Sequence, residues 1–148
     1  MKRADFLQPF SREHHHNLLL SWKIRKGFSK NIETERIKRY TDWFYHTHIE
    51  RHFALEEKYI FPVLGKGNKL VEKALSQHRR LRRLFKDKEN LEKSLSLLEE
   101  ELEAHVRFEE RKLFPKVQEK ANEAQRKEIV NTFEEERFVE NTTDEFWN

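Results

Sequence analysis

The chain contains two copies of one short phrase, in which a histidine is followed four residues later by the first of two glutamates. The first copy begins at His52 and the second at His105, and every shared residue is displaced by 53 positions. Residues four apart lie one turn apart on the same face of an α-helix, so each phrase directs an imidazole and a carboxylate toward one point. The repeat therefore predicts two pairs of metal ligands, His52 with Glu56 and His105 with Glu109.

Two further helices are expected to supply the remaining ligands. His78 lies on the apolar stripe of its helix. Nearer the N-terminus, His15 is preferred over His14 and His16, because apolar residues follow His15 at three, four and seven positions. His48, one turn before the first phrase, is a candidate additional ligand or a partner that fixes the orientation of a ring.

Four imidazoles and two carboxylates suit two metal ions better than one, because a single site rarely takes more than five protein ligands. Glu56 and Glu109 are the expected bridges between the ions. Nitrogen and oxygen ligands favour iron, manganese or zinc. Buried charges of this kind are costly unless something compensates them, and a pair of cations would compensate all of them together.

The elements that position these residues are predicted to be helices. Low glycine and proline content and 39% charged residues favour an all-α chain with a solvated exterior. Short connections between four long helices predict an up-down-up-down antiparallel four-helix bundle with a short additional C-terminal helix and tail. The helices are expected to begin at Ser11, at Asn31 or Thr34, at Asn68, at Asn90 and at about Glu123. Gly27, Pro62 and Pro115 are expected to end helices, and Phe146 and Trp147 to cover an open end of the bundle.

Length and composition limit the remaining possibilities. A chain of 148 residues is expected to form a single domain, 1–148. The absence of cysteine excludes disulfides and thiolate metal sites. A net charge of +3 is nearly balanced, so nucleic acid is not an expected partner. No signal-like or membrane-length apolar run is present, so no membrane partner and a cytoplasmic location are expected.

Together these motifs resemble the hemerythrin-like, or HHE cation-binding, family. The resemblance extends from Leu7 to about Val117. It is carried by Ser11-Arg12-Glu13-His14-His15, by the two phrases with the Phe-Pro pair that closes each, and by Gln77-His78. It implies a four-helix bundle holding a non-haem centre of two iron ions bridged by two carboxylates. The ligands that it implies are His15, His52, Glu56, His78, His105 and Glu109.

Two positions differ from the oxygen-carrying members of that family. Ala74 occupies the place of their second histidine on the third helix, and Glu109 follows its histidine by four residues where they have an aspartate at five. The first difference predicts an open coordination position, filled by water or by a neighbour such as His48. The leading hypothesis is that the centre binds, senses or reacts with O2, NO or peroxide. The alternative is iron storage, delivery or sensing without such chemistry. No Ser-His-Asp arrangement, phosphate loop or dinucleotide fingerprint is present, so any catalysis would be metal chemistry.

Overall fold

The computed structural model describes residues 2–133 and 137–148, and these residues form helices and their connections, with no β-strand among them. The predicted all-α class is therefore confirmed. In the described part of the chain, no helix combines the length and the apolar character needed to cross a membrane.

Seven α-helices are present in the described ranges, joined in places by π-helical and 3₁₀ turns. Three π-helical segments, Tyr45–Ile49, Glu56–Ile60 and Glu109–Leu113, interrupt otherwise continuous helical stretches. The last two are displaced by 53 residues and each begins at the glutamate of a repeated phrase. π-Turns inside helices are frequent at functional sites. The α-helices are α1 (Gln8–Ser29), α2 (Thr34–Phe44), α3 (Glu50–Leu55), α4 (Lys69–Lys86), α5 (Leu91–Phe108), α6 (Phe114–Lys120) and α7 (Glu123–Thr132).

Asparagine caps begin two of these helices as predicted. The Asn68 side chain accepts hydrogen bonds from two backbone N–H groups in the first turn of α4. The Asn90 side chain accepts one from the first turn of α5. Both interactions satisfy donors that have no partner within the helix.

The predicted bounds of α1 are wrong at both ends. The helix begins at Gln8, because Pro9 fits the first turn, and the Ser11 hydroxyl bonds a side chain on another helix instead of capping. Gly27 lies inside α1, which continues to Ser29 and is followed by Asn31 with a φ of 56°. The left-handed residue that ends this helix is thus an asparagine.

Gly27 has a packing role. A Cβ atom at this position would lie 2.7 Å from Ile37 Cδ1 and 2.8 Å from Phe146 Cε1. Both distances are too short for carbon atoms, so the missing side chain allows α1, α2 and the C-terminal segment to approach closely. Phe146 and Trp147 are buried, and both pack against Tyr40 of α2.

Pro115 does not end a helix. It lies in the first turn of α6, which directly continues the π-helical segment, and first-turn positions tolerate proline best. The C-terminal helix expected to begin at about Glu123 is α7, which ends at Thr132; the positions 134–136 lie outside the described residues.

Two clusters of buried apolar side chains fill the interior. The first includes Leu20, Phe44, Leu81 and Leu102, together with Phe146. The second includes Phe10, Ile60, Phe61, Leu113 and Phe114. Along each long helical stretch, the predicted ligand positions fall between residues of the first cluster and residues of the second. The polar site is therefore a thin layer between two apolar layers.

Candidate metal centre

Six side chains from four helical stretches converge in this layer. They form two groups, and within each group the candidate ligand atoms all lie within 4.8 Å of one another. Each group has two histidines and shares the same two glutamates. All six side chains are at most 2% exposed. The first group is His14, His52, Glu56 and Glu109, and the second is Glu56, His78, His105 and Glu109.

Each glutamate faces histidines of both groups. Glu109 places Oε1 2.9 Å from His14 Nε2 and Oε2 3.5 Å from His78 Nε2 and 3.4 Å from His105 Nε2. Glu56 places Oε1 3.3 Å from His78 Nε2 and Oε2 3.7 Å from His14 Nε2. Two carboxylates reaching both groups in this way have the arrangement that a bridging role requires.

The structure brings His14 into the first group, and not His15, which the sequence favoured. His14 is 2% exposed, whereas His15 is exposed. The apolar residues used to choose the face were misleading, since Leu19 and Trp22 are among the exposed large hydrophobic side chains. The buried face of α1 instead carries Phe10, His14, Asn17, Ser21 and Ile24.

A signal in the sequence does point to His14. The pair Glu13-His14 on α1 matches the pair Gln77-His78 on α4, each a long side chain with a carbonyl oxygen followed by a histidine. Comparing the first and third helices as a second repeat would therefore have selected His14.

The other candidate histidines lie outside both groups. His16 stacks on the Phe138 ring at a centroid distance of 4.2 Å. His48 lies against the rings of Trp43, Phe44 and Phe138. Neither side chain belongs to the buried set from which the two groups are built.

Every histidine of the centre is held by a second side chain through Nδ1, so that Nε2 faces the other ligands. The Nδ1 of His14 donates to Glu110 at 2.6 Å, and that of His78 donates to Glu57 at 2.6 Å. The second glutamate of each phrase thus contacts a histidine on a different helix. Such partners fix the orientation and tautomer of a ligating ring.

The remaining two partners were not predicted. His52 Nδ1 contacts Glu13 Oε1 at 2.8 Å, and His105 Nδ1 contacts Gln77 Oε1 at 2.6 Å. Each partner directly precedes a histidine of the centre in the sequence. The periodicity of a single helix would not reveal Glu13 and Gln77, because each bonds to a histidine on a neighbouring helix.

Arginines neutralise the carboxylates of this outer layer. Arg3 lies 3.2 Å from Glu110 Oε1, and Arg82 lies 2.8 Å from Glu57 Oε2. Arg51 lies 3.5 Å from Glu13 Oε2. Each supporting glutamate therefore has an arginine beside it that balances its charge, and in Glu57 the same oxygen, Oε2, accepts from both His78 and Arg82.

The electrostatics of the metal-free centre favour protons on His52, His78 and Glu109 and disfavour a second proton on His105. Burial alone would lower the pKa of His52 and His78, but the surrounding carboxylates outweigh it and raise these values to about 9 and about 10. Burial lowers the pKa of His105 well below its ordinary value, and the charge of His78 lowers it further. Burial and the neighbouring Glu56 raise the pKa of Glu109. A cation entering the centre would therefore compete with protons.

The residues fit a pair of metal ions. The Nε2 atoms of the four histidines and both oxygens of Glu56 and Glu109 are buried and have no hydrogen-bond partner among the described residues. The histidine Nε2 atoms and the glutamate oxygens lie 2.9–3.7 Å from one another, but their angles do not form hydrogen bonds. Ligand atoms about 2.1 Å from a common ion lie roughly 3.0–3.4 Å apart at right to tetrahedral angles. The spacing is thus that of ligands around cations.

A cavity of about 320 Å³ opens beside the first group. His52 and its partner Glu13 line it, and so does Asn17, whose Nδ2 atom is buried without a hydrogen-bond partner among the described residues. Asn17 is only 2% exposed. The cavity gives a molecule of a few atoms room next to the centre.

These features are those of a metal-binding helical protein. The chain matches the family model described as the hemerythrin HHE cation binding domain over residues 8–117, and it belongs to this family. The resemblance drawn from its motifs is therefore confirmed. Searches of curated proteins and of solved structures found no significant match.

Proposed function

We propose that this protein holds two iron ions at the six-residue centre and uses them to bind or react with O2, NO or peroxide. The observation that carries the proposal is the set of eight buried, unpartnered nitrogen and oxygen atoms directed at one another. His14 and His52 would hold one ion and His78 and His105 the other, with Glu56 and Glu109 shared. Iron bound in this way supplies redox chemistry and an electrophilic centre for a small ligand.

The number of ligands supports a reactive centre over a closed one. Each group offers two imidazoles and two shared carboxylates, which is four ligands. Iron, which accepts up to six ligands, would therefore keep positions open for a small molecule. The two groups have equal numbers of histidines, so both positions would have the same number of ligands, where the sequence led us to expect one ion to be short of an imidazole. The cavity beside His52 offers a route to the first of them.

The supporting residues prepare the centre for this role. Glu110 and Glu57 hold the His14 and His78 rings so that Nε2 faces inward. The apolar clusters on either side exclude water and lower the local dielectric constant, which strengthens the interactions of every charge in the layer.

We also propose that the four long helical stretches run in alternating directions, as an up-down-up-down bundle. Along α1 the chain passes from the second apolar cluster at Phe10, through His14, to the first cluster at Leu20. Along the next stretch the order is reversed, from Phe44 in the first cluster to Ile60 in the second. α4 has the order of α1, and α5 the reversed order. Alternation of this kind is what short connections favour.

The optical spectrum tests the proposed chemistry. Protein loaded anaerobically with ferrous iron should develop new absorption bands when it is exposed to O2 or NO, and metal-free protein treated identically should not. A spectrum that stays unchanged while two iron ions remain bound would contradict the small-ligand role and favour iron handling.

A matched variant tests the access route. Leu81 on α4 occupies the place that corresponds to Asn17 on α1, at the same offset as His78 from His14. The substitution Asn17→Leu should fill part of the cavity and slow the appearance of the new bands, with metal content unchanged. An unaltered rate would show that ligands enter elsewhere.

A further inference from the structure

The centre and the side chains that support it consist of two corresponding halves. Residues on α1 correspond to residues on α4 with a displacement of 64, and the two repeated phrases correspond with a displacement of 53. The His14–Glu110 hydrogen bond has its counterpart in His78–Glu57, and both measure 2.6 Å. The two groups of candidate ligands are therefore supported alike at these positions.

One pair breaks the correspondence. His52 bonds to the carboxylate of Glu13, whereas His105 bonds to the amide of Gln77. An imidazole that binds a cation through Nε2 carries its proton on Nδ1, so both partners act as acceptors. A carboxylate is the stronger acceptor of the two and makes the imidazole a better electron donor to its cation.

The arginine beside Glu13 does not remove this difference. Arg51 lies 3.5 Å from Glu13 Oε2, and its counterpart on α5 is Ala104. The charges of Glu13 and Arg51 thus balance each other beside His52, whereas Gln77 and Ala104 bring no charge to His105. The 2.8 Å contact from His52 Nδ1 to Glu13 Oε1 is shorter than the 3.5 Å contact from Arg51 to Glu13 Oε2, so His52 still donates to a carboxylate.

We infer that the two metal positions are unequal, and that the position of His14 and His52 binds a divalent cation about tenfold more tightly than the position of His78 and His105. The inference rests on the proposed two-ion centre and adds an order of filling to it. Glu13 and Gln77 are positioning residues, which act on the cation through the histidines that they orient.

Cobalt at limiting concentration tests the order of filling. Metal-free protein given one equivalent of Co²⁺ is crystallised, and the anomalous scattering at each position gives its occupancy. For two independent sites that differ tenfold in affinity, one equivalent of tightly bound Co²⁺ should give occupancies of about three to one in favour of the His14 and His52 position. Equal occupancy, or preference for the other position, would overturn the inference.

Substitutions at the unequal pair give the sharper test. Glu13→Gln and Gln77→Glu should each bring the two occupancies close to equality, because each gives His52 and His105 the same kind of Nδ1 acceptor. The double variant Glu13→Gln with Gln77→Glu should reverse the preference. A double variant that keeps the original preference would show that the unequal pair does not set the order.

Solution measurements keep the result independent of crystal growth. In Co²⁺-loaded protein, the exchangeable Nδ1 protons of ligating histidines give NMR signals shifted by the paramagnetic ion. At one equivalent the signals of His14 and His52 should dominate, and in the double variant those of His78 and His105 should dominate. Absence of cobalt from both positions would contradict the proposed centre itself, a result distinct from equal filling.

Discussion

Replacing His14 with alanine should damage the protein far more than replacing its neighbour His15. His14 Nε2 lies 2.9 Å from Glu109, and its Nδ1 lies 2.6 Å from Glu110. Glu109 is completely buried, so His14→Ala leaves a carboxylate without its closest partner. His15 is exposed on the same helix and provides a matched control.

The size of the effect follows from these contacts. Breaking a buried ion pair by removing one partner costs about 3–5 kcal/mol. In a domain of this size each kcal/mol shifts Tm by roughly 2–4 °C, so the metal-free His14→Ala protein should unfold about 6–20 °C lower. His15→Ala should stay within about 0.5 kcal/mol of the parent protein.

Metal affinity should separate the two variants as well. Substitutions of residues that merely support a ligand cost about 10–100-fold in metal affinity, so loss of a ligand should cost at least about 100-fold. The measurements are thermal unfolding by circular dichroism on metal-free protein, and iron content after dialysis of loaded protein against a weak chelator.

Equal behaviour of the two variants would refute this assignment. If His15→Ala lost metal and stability while His14→Ala did not, the face of α1 that meets the centre would be the one the apolar pattern first indicated. A loss of stability in His14→Ala with full metal retention would leave His14 a packing residue only.

Three further predictions concern the supporting layer, the packing of α1 and the response to pH. Glu110→Gln keeps an acceptor for His14 but removes the carboxylate, and should weaken metal binding about tenfold in a chelator competition; unchanged affinity would contradict the role given to this hydrogen bond. Gly27→Ala should lower the free energy of unfolding by up to about 2 kcal/mol in urea, because crowding outweighs the gain in helix propensity, and a more stable variant would show that the helices can separate there. In metal-free protein, the raised pKa values of His52 (about 9) and His78 (about 10) provide stability that is complete below the ordinary value of 6.5 and is lost as pH rises through 9 and 10. Thermal unfolding should therefore give a lower Tm at about pH 10 than at about pH 7, and the opposite trend would contradict these shifts.

Most of the centre could be predicted from the sequence because its signal is a repeat. The displacement of 53 residues identifies His52, Glu56, His105 and Glu109 without any knowledge of packing, and the structure places all four together. His78 followed from its position on an apolar stripe. These five residues lie on faces whose neighbours are apolar and buried, so periodicity and burial agree.

His14 was missed because the buried face of α1 is partly polar. Asn17 and Ser21 are buried, whereas Leu19 and Trp22 are exposed, so apolar periodicity points to the wrong face. The error is a shift of one residue, about 100° around the helix. Only contacts with other helices decide the face in such a case.

The π-helical segments could not be predicted from the sequence either. Their beginnings at Glu56 and Glu109 depend on how the widened turn packs between helices, and no residue type signals them. Glu13 and Gln77 were not predicted for a related reason, because their hydrogen bonds form only when a neighbouring helix brings a histidine close to them.

X-ray absorption at the iron edge of anaerobically loaded protein tests the central claim most directly. We predict two iron ions per chain, imidazole scattering at each, and a second iron at roughly 3.5–4 Å from the first. Iron bound singly, without a neighbouring iron or without imidazole scattering, would contradict the account.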